Sequence, residues 1–163
     1  MRVLAIDPGY DRLGIAILES GRPETVIHSD CFQTPKTLSH PARLVAVRKE
    51  LERLITLFSP KALATETLFF SKNQKTALKV AETRGVILST ASNCDLKIYE
   101  YPPIQIKVAV TGYGASDKKQ IAQLVKKLVN ISKEPKYDDE YDAIAIGLTF
   151  FAREHHFSTD VSY

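Results

Sequence analysis

Three short apolar runs open the chain, each closed by turn residues. RVLAID, LGIAILES and TVIHSDCFQ are rich in β-branched residues and are separated by Pro-Gly and Gly-Arg-Pro, the pattern of successive strands. The period then changes. In SHPARLVAVRKELERLITLFSP, Leu44, Val47, Leu51, Leu54, Ile55 and Phe58 recur at helical spacing, with Ser39 placed as a cap and Pro41 in the first turn. KALATE reads as a short strand ending on Glu66, NQKTALKVAETRGVILSTAS as a second helix over 73–92, and LKIYEY as a fifth strand. SDKKQIAQLVKKLVN, capped by Ser116, puts Ile121, Leu124, Val125, Leu128 and Val129 on one side of a helix, and DDEYDAIAIGLTFFARE closes the series as the last helix.

That order restricts the architecture. Three strands in hairpin sequence form an antiparallel group, whereas strands separated by helices pair in parallel through right-handed crossovers. The economical solution is an α/β fold with a mixed five-stranded sheet and helices on both faces. With the fourth strand parallel to the first, their C-terminal ends emerge side by side, and Asp7 and Glu66 meet.

Composition narrows the class. A chain of 163 residues, 44% hydrophobic and 25% charged, suits one globular domain, expected over 1–155 with a short tail over 156–163. No segment has the length of a membrane span and the first residues show no signal-peptide pattern, so a cytoplasmic location without membrane association is expected. Cys31 and Cys94 lack metal-ligand spacing and read as plain thiols. Charge is unevenly spread. Residues 67–137 hold 12 basic and 5 acidic side chains, whereas 138–163 hold 1 and 6. A basic middle beside acidic elements suits a polyanion held around a negative pocket.

The acids carry the chemistry. Asp7 ends a strand that reads as core, beside Pro8 and Gly9, and Glu66 ends another where neither turn nor cap chemistry asks for glutamate. Asp139 and Asp142 stand three apart at the start of the last helix and share a face, as do Asp138 and Asp142, four apart. Gathered carboxylates drive each other to protonate unless a cation joins them. Hard oxygen donors favour Mg²⁺ or Mn²⁺, and two such ions form a clamp for phosphodiester cleavage.

LAIDPGYDRLGIAIL, TETLFFSKNQKTALKVAETRGVIL, YEYPPIQIKVAVTGYGASDKKQI and DEYDAIAIGL resemble, in order and spacing, the motifs of the RuvC family of bacterial Holliday junction resolvases. The resemblance covers nearly the whole chain. It implies an RNase H-like fold and a homodimer that makes paired Mg²⁺-dependent nicks in four-way junction DNA, leaving 5′-phosphate and 3′-hydroxyl ends. It also leaves room for a branch-migration motor as partner. The family's catalytic acids fall on Asp7, Glu66, Asp139 and Asp142, with Asp139 preferred to Asp138 by motif alignment; these would hold two Mg²⁺ ions, for which Mn²⁺ would substitute. Lys72, Lys75, Lys107, Lys118 and Lys119 lie in the DNA-contacting blocks, and Phe69 takes the place of an aromatic wedge at the junction centre. Ala77, Ala81 and Gly85 are small enough for helix–helix approach across a dimer, or for packing on the chain's own sheet. Tyr10 departs from the small hydroxyl residue usual after the Asp-Pro-Gly triplet.

Three other readings compete. An ATP-binding protein of the actin and sugar-kinase superfamily would need a second similar domain. A catalytically silent junction-binding protein would not need the full set of acids. Another RNase H-like nuclease would cut RNA–DNA hybrids and ignore four-way DNA.

Overall fold

The computed structural model describes residues 1–67 and 74–154. Phe69, Phe70, Lys72, His155 and His156 lie outside the described residues, and so does the side chain of Lys75. Strands β1 (Arg2–Asp7), β2 (Arg12–Glu19) and β3 (Thr25–Gln33) are followed by α1 (His40–Phe58), β4 (Ala62–Glu66), α2 (Gln74–Asn93) and β5 (Lys97–Tyr101). Then come α3 (Pro103–Thr111), α4 (Lys118–Leu128), β6 (Asn130–Ile131) and α5 (Asp138–Glu154).

The sheet order is β5-β4-β1-β2-β3-β6. β1, β2 and β3 pair antiparallel, and β4 lies parallel to both β1 and β5. The expected mixed sheet with helices on both faces is therefore present, and the predicted five strands become six. The sixth, β6, is two residues long and pairs in parallel with β3 through Thr25 and Val26. It is too short for periodicity to register.

Period-two alternation divides the central strands between two cores. Val3, Ala5, Ala16 and Leu18 face the side covered by α3, α4 and α5. Leu4, Ile6, Leu13, Ile15 and Ile17 face α1 and α2. Helix α5 packs on β1 and β2 and buries every residue from Glu140 to Phe151 except Asp142.

Two local expectations change. No element was expected over 103–111, where Pro102 and Pro103 precede β-branched residues, yet Pro103 opens α3, because proline lacks only an N–H that a first turn leaves unbonded anyway. Helix α4 is capped by Asp117, in a capping box with Gln120, and not by Ser116. The Ser116 hydroxyl is buried and bonds instead to the Thr111 hydroxyl and the Tyr113 carbonyl.

Candidate active site

The parallel register of β1 and β4 pairs Ile6 with Thr65, and the Thr65 hydroxyl donates to the Ile6 carbonyl at 2.9 Å. Asp7 and Glu66 are the next residues, so both carboxylates lie side by side at the C-terminal ends of two adjacent central strands. Asp142 joins them from α5, and the three line a cleft of about 470 Å³ with Lys107, Ser116, Asp117 and Lys118.

Asp139 approaches from the far side of Asp7. Gly14, the β2 partner of Asp7, makes this possible: a Cβ there would stand 1.9 Å from the Asp139 carbonyl oxygen and 3.2 Å from the Asp7 Cβ. The first turn of α5 thus lies directly on the sheet. Glu140, 5% exposed, fixes that turn. Its carboxylate accepts from the backbone N–H groups of Lys136 and Tyr137, and from the Ser29 hydroxyl at 2.6 Å. Asp138 is exposed, and among the described residues the carboxylate repulsion felt by Asp7 comes from Asp142, Glu66 and Asp139.

Electrostatics shows what these positions cost. Burial first, then repulsion from Asp142, Glu66 and Asp139, pushes the Asp7 carboxyl up to about 7, against a smaller opposing pull from Lys118. Glu66 is also raised, by burial and then by Asp142, with Lys118 and Lys107 opposing. Two cations answer part of the charge. Lys118 Nζ donates to Asp142 Oδ2 at 2.8 Å, and that bond raises the lysine's own pKa. Arg12 Nε lies 3.6 Å from Asp139 Oδ2. Cys31 donates its S–H to the same oxygen at 3.6 Å, and burial, followed by Asp139, pushes the thiol up to about 11.

The donor set suits a hard divalent cation: oxygen ligands only, in excess of local positive charge, with one acid pushed toward neutrality. As the side chains stand, no three of the described acidic, cysteine or histidine side chains surround one ion position. Asp142 Oδ2 is taken by Lys118, and Asp139 Oδ2 lies near Arg12.

The other expected residues are dispersed. Lys107 is half-buried in the cleft, while Lys118 and Lys119 are exposed at the start of α4. On α2, Ala77 and Ala81 are half-buried and Gly85 is exposed, with no atom within 4 Å of where its Cβ would stand; Leu78 is 69% exposed beside them. Sequence reasoning missed Arg12, Cys31 and Glu140. The only signal for Cys31 is its register opposite Gly14, which requires the strand pairing to be known.

The model of the family described as crossover junction endodeoxyribonuclease RuvC matches residues 3–150. The chain belongs to the RuvC family. Proteins named crossover junction endodeoxyribonuclease RuvC from Thermosipho melanesiensis and Alkaliphilus oremlandii are 48% and 44% identical to it over 147 and 149 residues. Those matches cover 90% and 91% of this chain, and 94% and 91% of the relatives. The structure of T. thermophilus RuvC in complex with Holliday junction substrate, 28% identical, covers 95% of this chain and 96% of its own with a TM-score of 0.86. The yeast mitochondrial Holliday junction resolvase Ydc2, 13% identical, shares the fold at a TM-score of 0.71, over 92% of this chain and 77% of its own. Membership of the RuvC family carries dependence on a divalent metal ion. Among the described residues no helix is long and apolar enough to cross a membrane.

Proposed function

We propose that the protein is a Holliday junction resolvase, a homodimeric Mg²⁺-dependent endonuclease that makes paired nicks in four-way junction DNA. The observation that carries this reading is the convergence of Asp7, Glu66 and Asp142 on one cleft whose rim is cationic. Asp139 stands behind Asp7.

Asp7, Glu66, Asp139 and Asp142 would hold two Mg²⁺ ions. When bound, such ions supply an activated water and neutralise charge developing on the scissile phosphate. The chain's own residues do the rest. Lys107 and Lys118 draw a backbone phosphate into the cleft without reading a base. With a phosphate in the cleft, Lys118 would meet one of its oxygens, and Asp142, now bonded to Lys118, would join Asp7 and Glu66 in holding the ions. Cleavage leaves a 5′-phosphate and a 3′-hydroxyl. The family resemblance assigns further phosphate contacts to Lys72, Lys75 and Lys119 and assigns to Phe69 a stacking role on unpaired bases, where base–aromatic contacts are worth about 1–3 kcal/mol. A two-fold dimer through the small residues Ala77, Ala81 and Gly85 presents two clefts to a roughly symmetric junction.

The test is cleavage of a mobile four-way junction, a linear duplex and an RNA–DNA hybrid, with Mg²⁺ and with EDTA. The reading requires cutting of the junction alone, with Mg²⁺, and its loss in Asp7→Asn and Glu66→Gln. Cutting of the hybrid in preference to the junction would assign the site to a different substrate. Sedimentation showing only monomer at micromolar concentration would refute the dimer.

A further inference from the structure

Between the ligand Asp7 and Arg12, the partner of Asp139, runs the Pro8–Asp11 turn. It has no slack: a Cβ on Gly9 would stand 2.1 Å from the Arg12 carbonyl oxygen. The sheet holds the backbone at both ends, where Asp7 pairs with Gly14 and Arg12 with Gln33. Whatever holds the turn between them therefore acts on how the two end side chains are carried. Tyr10 projects from it away from the acid cleft and into a cluster that the catalytic reading leaves unused. The Arg43 guanidinium carbon lies 4.0 Å from the tyrosine ring centroid and Lys79 Nζ lies 4.7 Å from it, both within cation–π range. Arg43, 7% exposed, also donates to the Tyr10 carbonyl at 3.3 Å, to Asp11 Oδ1 at 2.6 Å and, through Nε, to the Thr34 hydroxyl at 2.7 Å.

The hydroxyl continues the chain of contacts. Tyr10 Oη is 3.2 Å from His40 Nδ1, and His40 Nε2 is 2.6 Å from Glu82 Oε2. An ionised carboxylate only accepts, so Nε2 carries the proton. The other nitrogen accepts from the tyrosine O–H in the neutral ring and donates to the tyrosine oxygen in the protonated one. Either way the contacts run from the turn through the first residue of α1 to the middle of α2.

We propose that Tyr10 is a positioning residue, latched through His40 to Glu82 so that helix α2 sets where the Asp7–Arg12 turn stands. Because α2 also carries the proposed dimer face, the latch links the state of that face to ligand geometry in the same subunit. The proposal rests on the resolvase reading.

The experiment uses full-length Tyr10→Phe, His40→Ala and Glu82→Ala, none of whose side chains lines the acid cleft. Three quantities are measured: Mn²⁺ affinity without DNA by electron paramagnetic resonance, junction affinity in EDTA, and single-turnover cleavage at saturating junction. Displacing a ligand-bearing turn should lower the cleavage rate about tenfold and weaken Mn²⁺ binding in each variant, with junction affinity held within about twofold. The Tyr10→Phe/His40→Ala double variant should be no worse than either single one, since both break the same connection. Unchanged Mn²⁺ affinity and rate would overturn the proposal, as would a loss confined to junction affinity. If His40→Ala fails to fold, Tyr10→Phe, which keeps the ring and its cations, carries the test. If the unmodified protein cuts no junction, the resolvase reading fails, and Mn²⁺ affinity still decides the latch.

Discussion

Asp7→Asn should destroy cleavage and at the same time stabilise the metal-free protein at alkaline pH. The Asp7 carboxyl is held at about 7 in the fold, against 3.8 as its ordinary value. Between those limits the native state keeps a proton that the unfolded chain has released, so stability falls as pH rises. The decline is complete once pH exceeds the folded value. Each pH unit between the two values removes about 1.4 kcal/mol, so the full loss is of order 4 kcal/mol, and roughly 3 kcal/mol of it falls between pH 5 and pH 8.5. That is a large share of the 5–15 kcal/mol typical of a domain. Asparagine keeps the shape and removes the titration. Denaturant unfolding in EDTA at both pH values, on unmodified and variant protein, measures the titration of Asp7 together with its coupling to Asp142, Glu66 and Asp139, while groups outside that cluster cancel. The unmodified protein should lose about 3 kcal/mol more than the variant. Added Mg²⁺ should restore it at pH 8.5 and do little for the variant. Parallel pH profiles, or a variant less stable at pH 8.5, would show that Asp7 is not under electrostatic load.

Gly14→Ala drives a methyl into the Asp139 carbonyl; overpacking of this kind should cost about 1–3 kcal/mol in unfolding free energy and reduce cleavage further than stability alone explains. Lys118→Met should leave the fold intact, slow single-turnover cleavage, and lower the salt slope of junction affinity by about one, since one phosphate contact is lost. Glu140→Ala strips three hydrogen bonds from a buried carboxylate and should lower the denaturation midpoint by an amount corresponding to about 3 kcal/mol. Its melting curve should report the change before any cleavage assay does.

Hydrophobic period made the strand and helix order readable, and with it the meeting of Asp7 and Glu66, because parallel pairing of β1 and β4 follows from connection rules. Helical spacing put Asp139 and Asp142 on one face, and in the structure only Asp142 lines the cleft while Asp139 lies by Arg12 and Cys31. Contacts that depend on register did not show. Arg12, Cys31 and Gly14 reach the site only because β1, β2 and β3 pair in one particular alignment, and no local pattern encodes it. Glu140 looked like one more acid in an acidic turn; what separates it is burial against β3. Helix α3 was hidden by a proline pair that reads equally as a loop. Tyr10 stood out only as a bulky residue in a tight turn, and its meaning lies in residues from two distant helices.

The two sides of the acid cleft differ in how firmly they are held. Asp7 and Glu66 end adjacent strands in the middle of the sheet, and Asp142 grows from a helix buried almost throughout. Lys118 stands exposed at the start of α4, which packs chiefly on α3 and α5 through buried Ile121 and Val125. Backbone amides of β1, β4 and α5 should therefore exchange only through near-global opening, and those at the start of α4 through local fraying. The anionic side of the cleft rises from the core, and its cationic side stands on long side chains at the rim. A DNA strand entering it meets those side chains, while the backbone that carries the acids stays where the core put it.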